Sequence, residues 1–186
     1  MVQALRQILE LEDFDEASFK EALSMFKCVE PDTESSKDVM RFLVEDAISM
    51  ERAGDTRTFL IINDELWQQG EIQIDGYFSL ALKILAFGKS INKDFLKNLF
   101  DNENKSNCPA YLIGQLAKSE TAEKGAGANY LMTALQYISN ARDIVGGRLV
   151  YLDCTPNKQT YYEKHGFHFL QKKHKRDDLI QMYKVI

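Results

Sequence analysis

YLIGQLAKSETAEKGAGANYLMTALQYISNARDIVGGRLVYLDC, Tyr111 to Cys154, holds the segment that decides the fold. Tyr111 to Leu116 is short and apolar and reads as a strand. A polar stretch containing Gly125 and Gly127 follows. From Asn129 to Ile144 the apolar positions Tyr130, Leu131, Ala134, Leu135 and Ile138 recur at three- and four-residue steps, the spacing of a helix with one buried face. Gly146 and Gly147 stop it, and Arg148 to Cys154 returns as a second strand. A strand, a glycine-bearing loop, a helix and a strand in that order place the chain among mixed α/β folds.

Downstream, Thr155 and Pro156 open a short helix that Gly166 closes. Phe167 to Leu170 and Leu179 to Ile186 then read as two strands joined by the charged turn KKHKRDD. Upstream, Asp38 to Ala53 carries a helical apolar face, with Ser35, Ser36 or Asp38 as its cap. Thr58 to Ile62 and Ile72 to Leu85 form a hairpin around NDELWQQGE, and 88–107 is an insertion with one short amphipathic piece at Phe95, Leu96 and Leu99. No repeat or low-complexity tract interrupts the 186 residues, so we expect a single domain over 1–186.

Composition narrows the class further. Apolar residues make up 45% and charged residues 27%, which excludes collagen-like and disordered chains. The longest nearly apolar run, Tyr77 to Phe87, is broken by Ser79 and Lys83 and falls far short of the ~20 residues that span a bilayer. The acidic N-terminal stretch is not that of a signal peptide, and Cys28, Cys108 and Cys154 suit reduced thiols, so the expected location is cytoplasmic. The net charge of −5 is uneven. Through Asn107 there are 12 basic and 21 acidic residues, net −9; from Cys108 there are 11 and 7, net +4. The basic back half suits an anionic ligand, or is a solvated face.

A helix that begins on glycine and alanine leaves its first N–H groups and its positive dipole end open to a phosphate, although a plain turn reads the same way. The P-loop pattern is missing, which argues against a nucleoside triphosphatase. The dinucleotide fingerprint needs a third glycine where this chain has Tyr130, which argues against a dehydrogenase. His165, His168 and His174 lack the company of a metal site.

Two segments together resemble the GNAT superfamily of acetyl-CoA-dependent N-acetyltransferases. Ala122-Glu123-Lys124-Gly125-Ala126-Gly127 lies where that family carries Gln/Arg-x-x-Gly-x-Gly/Ala, with Ala122 replacing the leading residue. Thr160 to Phe169, TYYEKHGFHF, resembles its aromatic-Tyr-Glu-Lys-x-Gly-Phe signature. The commonest family pattern has Asn seven residues before the tyrosine; here that position is Thr155, and Asn157 lies five before.

The resemblance implies a mostly antiparallel sheet flanked by helices, with the strands ending at Leu116 and Cys154 splayed into a cleft for CoA. It implies acetyl-CoA as cosubstrate, bound by Leu116, Ala117 and Lys118 on the strand, by Glu123, Lys124, Gly125, Ala126, Gly127 and Ala128 in the loop, and by Asn157 and Tyr161. An N–H near Leu116 would polarise the thioester carbonyl, and Tyr162 would act as the acid that protonates the leaving thiolate. Transfer is then direct to a primary amine on a small molecule, a protein or an aminoacyl-tRNA. Glu120, Asp153 and Glu45 are each open to the role of base, while Glu45, Asp46 and Glu51 could draw in a cationic acceptor. Two other readings stay open: a non-catalytic module that binds acyl-CoA for regulation, and a toxin that acetylates aminoacyl-tRNA, for which the run Lys172 to Arg176 offers an RNA contact. Neither membrane nor DNA is an expected partner, and a homodimer is allowed.

Overall fold

The computed structural model describes residues 1–89, 91–172 and 179–186. Among these residues seven strands form one sheet: β1 Val2–Ala4, β2 Arg57–Ile62, β3 Ile74–Ala86, β4 Asn107–Lys118, β5 Leu149–Cys154, β6 His168–Lys172 and β7 Ile180–Val185, in the spatial order β1-β2-β3-β4-β5-β7-β6. The pairs β1/β2, β2/β3, β5/β7 and β6/β7 are antiparallel, whereas β4 and β5 are parallel, Tyr111 opposite Val150 and Leu112 opposite Tyr151. The expected mixed, mostly antiparallel sheet with flanking helices is therefore the one the chain forms.

Helices α1 Leu5–Leu9, α2 Glu16–Ser24, α3 Glu34–Arg41, α4 Ala47–Ala53, α5 Asp64–Gln68, α6 Lys93–Phe100, α7 Ala126–Val145 and α8 Gln159–Lys164 accompany it. A π-turn, Phe42–Asp46, joins α3 to α4, so the helix expected over Asp38 to Ala53 begins four residues earlier. Its cap is Thr33, whose hydroxyl accepts from the Ser36 N–H at 3.3 Å; none of Ser35, Ser36 and Asp38 is the cap. The β2–β3 connection holds the short helix α5, capped by the Asn63 side chain. The insertion carries α6, as its pattern at Phe95, Leu96 and Leu99 foretold. The charged turn at 173–178 lies outside the described residues, and with it His174 and most of the basic run.

The chain divides into two compact units, Met1–Ala81 with Ile113–Tyr137, and Leu82–Leu112 with Ile138–Ile186. In the first, Leu5, Leu23, Leu43, Leu60 and Tyr77 are fully buried in one core under α1, α2 and α4. Glu51, on α4, is also buried: it accepts from the Thr58 N–H at 2.8 Å and pairs with Arg57 at 3.2 Å. That removes it from the surface acids expected to attract a cationic acceptor, while Glu45 and Asp46 stay exposed. In the second unit the core gathers Leu85, Leu99, Ala110, Leu149 and Tyr151. Cys28, Cys108 and Cys154 are all buried, and none is in a disulfide. No helix among the described residues is long and apolar enough to cross a membrane.

Candidate functional site

The first group of site residues belongs to the N-terminal unit. Strand β4 ends at Lys118 and continues into Ser119, which bridges Cys28 while its N–H donates to the Asp75 carbonyl at 2.8 Å. The Lys118 ammonium turns onto the following loop, donating to the Ala122 carbonyl at 2.9 Å and to the Ser119 carbonyl at 3.2 Å. This bracing is a role the sequence did not reveal. The loop then reaches Gly125 at φ +91°, a left-handed conformation that L side chains rarely adopt, and space around it is open. Ala126 N–H and Ala128 N–H make turn bonds to the Glu123 and Gly125 carbonyls, so helix α7 starts at Ala126, three residues before its apolar periodicity does. Glu123 and Lys124 are exposed beside it.

Helix α7 is docked by Tyr130. Its ring lies over Gly76 of β3, where a Cβ would overlap Tyr130 Cε2 and stand 2.7 Å from the Ala117 carbonyl oxygen. The Tyr130 hydroxyl donates to the Asp75 carbonyl at 3.4 Å. The residue that breaks the dinucleotide pattern is thus the one that anchors the helix behind the loop. A glycine inside an apolar strand, Gly76 in IDGYFSLAL, is the sequence signal for such a close approach. Among the expected bases, Glu120 lines a cleft of about 260 Å³ with Phe26, Lys27, Leu66, Ile74 and Thr121.

The second group belongs to the C-terminal unit. After β5 the chain enters a 3-10 turn, Pro156–Lys158, and then α8. Thr155 and Asn157, the two alternatives for one family position, are joined to each other, the Thr155 hydroxyl donating to Asn157 Oδ1. Tyr162 is buried to 8% exposure, its ring edge-on to Tyr161 and to Phe167 with centroids 5.1 and 5.8 Å away. Burial, with smaller contributions from Cys154 and Tyr161, holds the Tyr162 hydroxyl well above the usual phenol range, so it keeps its proton throughout the physiological range. Tyr161 is raised by burial as well and packs against His165, whose Nδ1 lies 2.7 Å from the Tyr161 carbonyl. Asp153 accepts from the Gln181 side chain at 3.0 Å. Burial pushes the Cys154 thiol up to about 11, which marks it as an unreactive packed thiol.

No family model matches the sequence, and no curated protein sequence matches it. Solved structures do match in fold. A structure described as a bacterial toxin aligns over 100% of this chain and 91% of its own at a TM-score of 0.71 and 15% identity. AtaT complexed with acetyl-methionyl-tRNAfMet aligns over 97% and 92%, with a TM-score of 0.69 and 18% identity. A tyrosine-to-phenylalanine mutant of AtaT, bound to the C-terminus of the antitoxin AtaR and acetyl-CoA, aligns over 100% and 92%, with a TM-score of 0.67 and 17% identity. The likeness therefore extends over almost the whole of each chain and establishes the fold.

Proposed function

We propose that this protein is an acetyl-CoA-dependent N-acetyltransferase that moves an acetyl group directly to a primary amine. The observation that carries the reading is Tyr162, a buried phenol set by a Tyr-Glu-Lys-x-Gly-Phe turn in a fold shared with an acetyl-CoA-bound neighbour. The loop Glu123 to Ala128 opens a 20-residue helix with a left-handed glycine; its N–H groups other than those of Ala126 and Ala128, which make turn bonds, and the helix dipole suit the pyrophosphate of CoA. Backbone donors around Leu116 to Lys118 would hold the pantetheine arm as an added strand and polarise the thioester carbonyl. Asn157 and Tyr161 would flank the arm.

In the chemical step the amine nitrogen bonds to the acetyl carbon and the carbon–sulfur bond breaks. Tyr162 gives its hydroxyl proton to the departing thiolate, the proton of the amine leaves to water or to a carboxylate, and Tyr162 regains a proton from that pool before the next turnover. Of the three candidate carboxylates, only Glu120 lines the cleft described above. The buried, unreactive state of Cys154 fits transfer without an acyl-enzyme.

The acceptor we favour is the amino group of an aminoacyl-tRNA, because AtaT, the neighbour with 18% identity, is complexed with acetyl-methionyl-tRNAfMet. Such an activity would make the protein a translation-directed toxin acting in the cytoplasm. A thiol-release assay with purified protein, acetyl-CoA and a panel of aminoacyl-tRNAs and free amines tests the reading. Turnover that disappears in Tyr162→Phe supports it; CoA binding without turnover on any acceptor replaces it with the regulatory-module reading.

A further inference from the structure

The short helix α8 is too brief to hold Tyr162 in place by itself: six residues make fewer than two turns. Its C-terminal end is fastened instead from β7. The Lys184 ammonium donates to the His165 carbonyl, the residue that caps α8, at 2.9 Å. It also sits 5.9 Å from the centroid of the Phe167 ring, which is fully buried and meets the Tyr162 ring edge-on. Between these contacts the His165 and Phe167 N–H groups donate to the Tyr162 carbonyl at 3.0 and 3.1 Å, so the backbone of Tyr162 is tied to the two residues that Lys184 touches, one at its carbonyl and the other at its ring. Gly166 at φ +80° lies between them, and a Cβ there would collide with Lys184 Nζ. The glycine of the Gly-Phe signature therefore serves the turn and also leaves the space that the lysine tip fills.

We infer that Lys184 is the positioning residue of the proposed acid: a cation at the carboxyl end of α8 that locks the last turn and with it the placement of the Tyr162 ring. The inference rests on the proposed role of Tyr162 in transfer. Lys184 pairs with Val150 on β5 through its backbone, so its side chain is presented by the sheet and not by the helix it holds. A substitution at Lys184 then loosens one turn and leaves the sheet register alone. The ammonium matches the negative end of the helix dipole, and arginine keeps the positive charge there.

The test uses full-length protein labelled with ring-13C tyrosine, the Tyr162 signal being assigned by its loss in Tyr162→Phe. In Lys184→Ala the Tyr162 signal is expected to shift or broaden, and Lys184→Arg is expected to restore it. With methionyl-tRNA as the acceptor, Lys184→Ala is expected to lower kcat on the order of tenfold with KM for acetyl-CoA within about twofold of wild type, since misplacement by about an ångström has effects of that size or larger. Gly166→Ala, which pushes the ammonium away, should lower kcat less in the Lys184→Ala background than in wild type. A Tyr162 signal unchanged in a folded Lys184→Ala protein overturns the inference, as does a kcat within twofold of wild type. Full turnover by Tyr162→Phe would instead overturn the acid role of Tyr162 and leave the ring signal as the measure of Lys184.

Discussion

Replacing Gly76 by alanine tests how the helix behind the glycine loop is held. The added methyl would overlap the edge of the Tyr130 ring and press to 2.7 Å from the Ala117 carbonyl oxygen, a backbone atom that cannot swing aside. Overpacking of this kind costs about 1–3 kcal/mol, and the backbone contact places Gly76→Ala in the upper part of that range. The strand gains back about 0.5–1 kcal/mol because glycine is a poor strand residue, leaving a net loss near 2 kcal/mol. For a chain of 186 residues that lowers Tm by about 4–8 °C, measured by circular dichroism melting. Tyr130→Leu removes the ring edge but not the carbonyl contact, so in the double variant part of the loss should return as a coupling of about 1 kcal/mol. Gly76→Ala within about 0.5 kcal/mol of wild type, or strictly additive effects with Tyr130→Leu, would refute the docking argument.

Three further outcomes follow from other parts of the molecule. Arg57→Ala should destabilise more than Glu51→Gln, because it strands a buried carboxylate whereas glutamine can still accept from the Thr58 N–H; urea titration ranks them. Thr33→Ala should cost about 1 kcal/mol through the lost cap, with Ser36→Ala far less harmful, read by the same titration. The Cys154 thiol is raised in the folded chain from 9.0 to about 11, so the unfolded chain ionises first and stability falls as pH rises from about 9. That rise corresponds to a ceiling near 2.7 kcal/mol, discounted to about 1–2 kcal/mol for solvent screening; Cys154→Ala should flatten the alkaline limb of denaturation midpoints by that amount.

What was legible in the sequence is what local chemistry dictates. Glycine placement and apolar spacing marked β4, α7 and β5, and Pro156 with Gly166 bracketed the turn that presents Tyr162. The first turn of α3 was missed because Glu34, Ser35, Ser36 and Lys37 carry no apolar period, and a helix start is visible only through its cap. Helices α1 and α2 are too short for periodicity to speak, and their buried faces meet elements distant in number: α1 packs on β2, and α2 on the π-turn Phe42–Asp46. Glu51 looked like a surface acid because nothing nearby in sequence announces that the Thr58 N–H will reach it. The same limit hid Lys118 as the brace of the loop and Lys184 as the fastening of α8, since both act through carbonyls that the fold alone brings into range.

The central claim is that acetyl-CoA is the cosubstrate, and calorimetric titration of the purified protein with acetyl-CoA tests it most directly. Saturable one-to-one binding is expected, weakened at least tenfold in Gly125→Glu, which sets a carboxylate and a strained left-handed residue in the phosphate loop. Wild-type protein that takes up no acetyl-CoA at millimolar concentration would contradict the account.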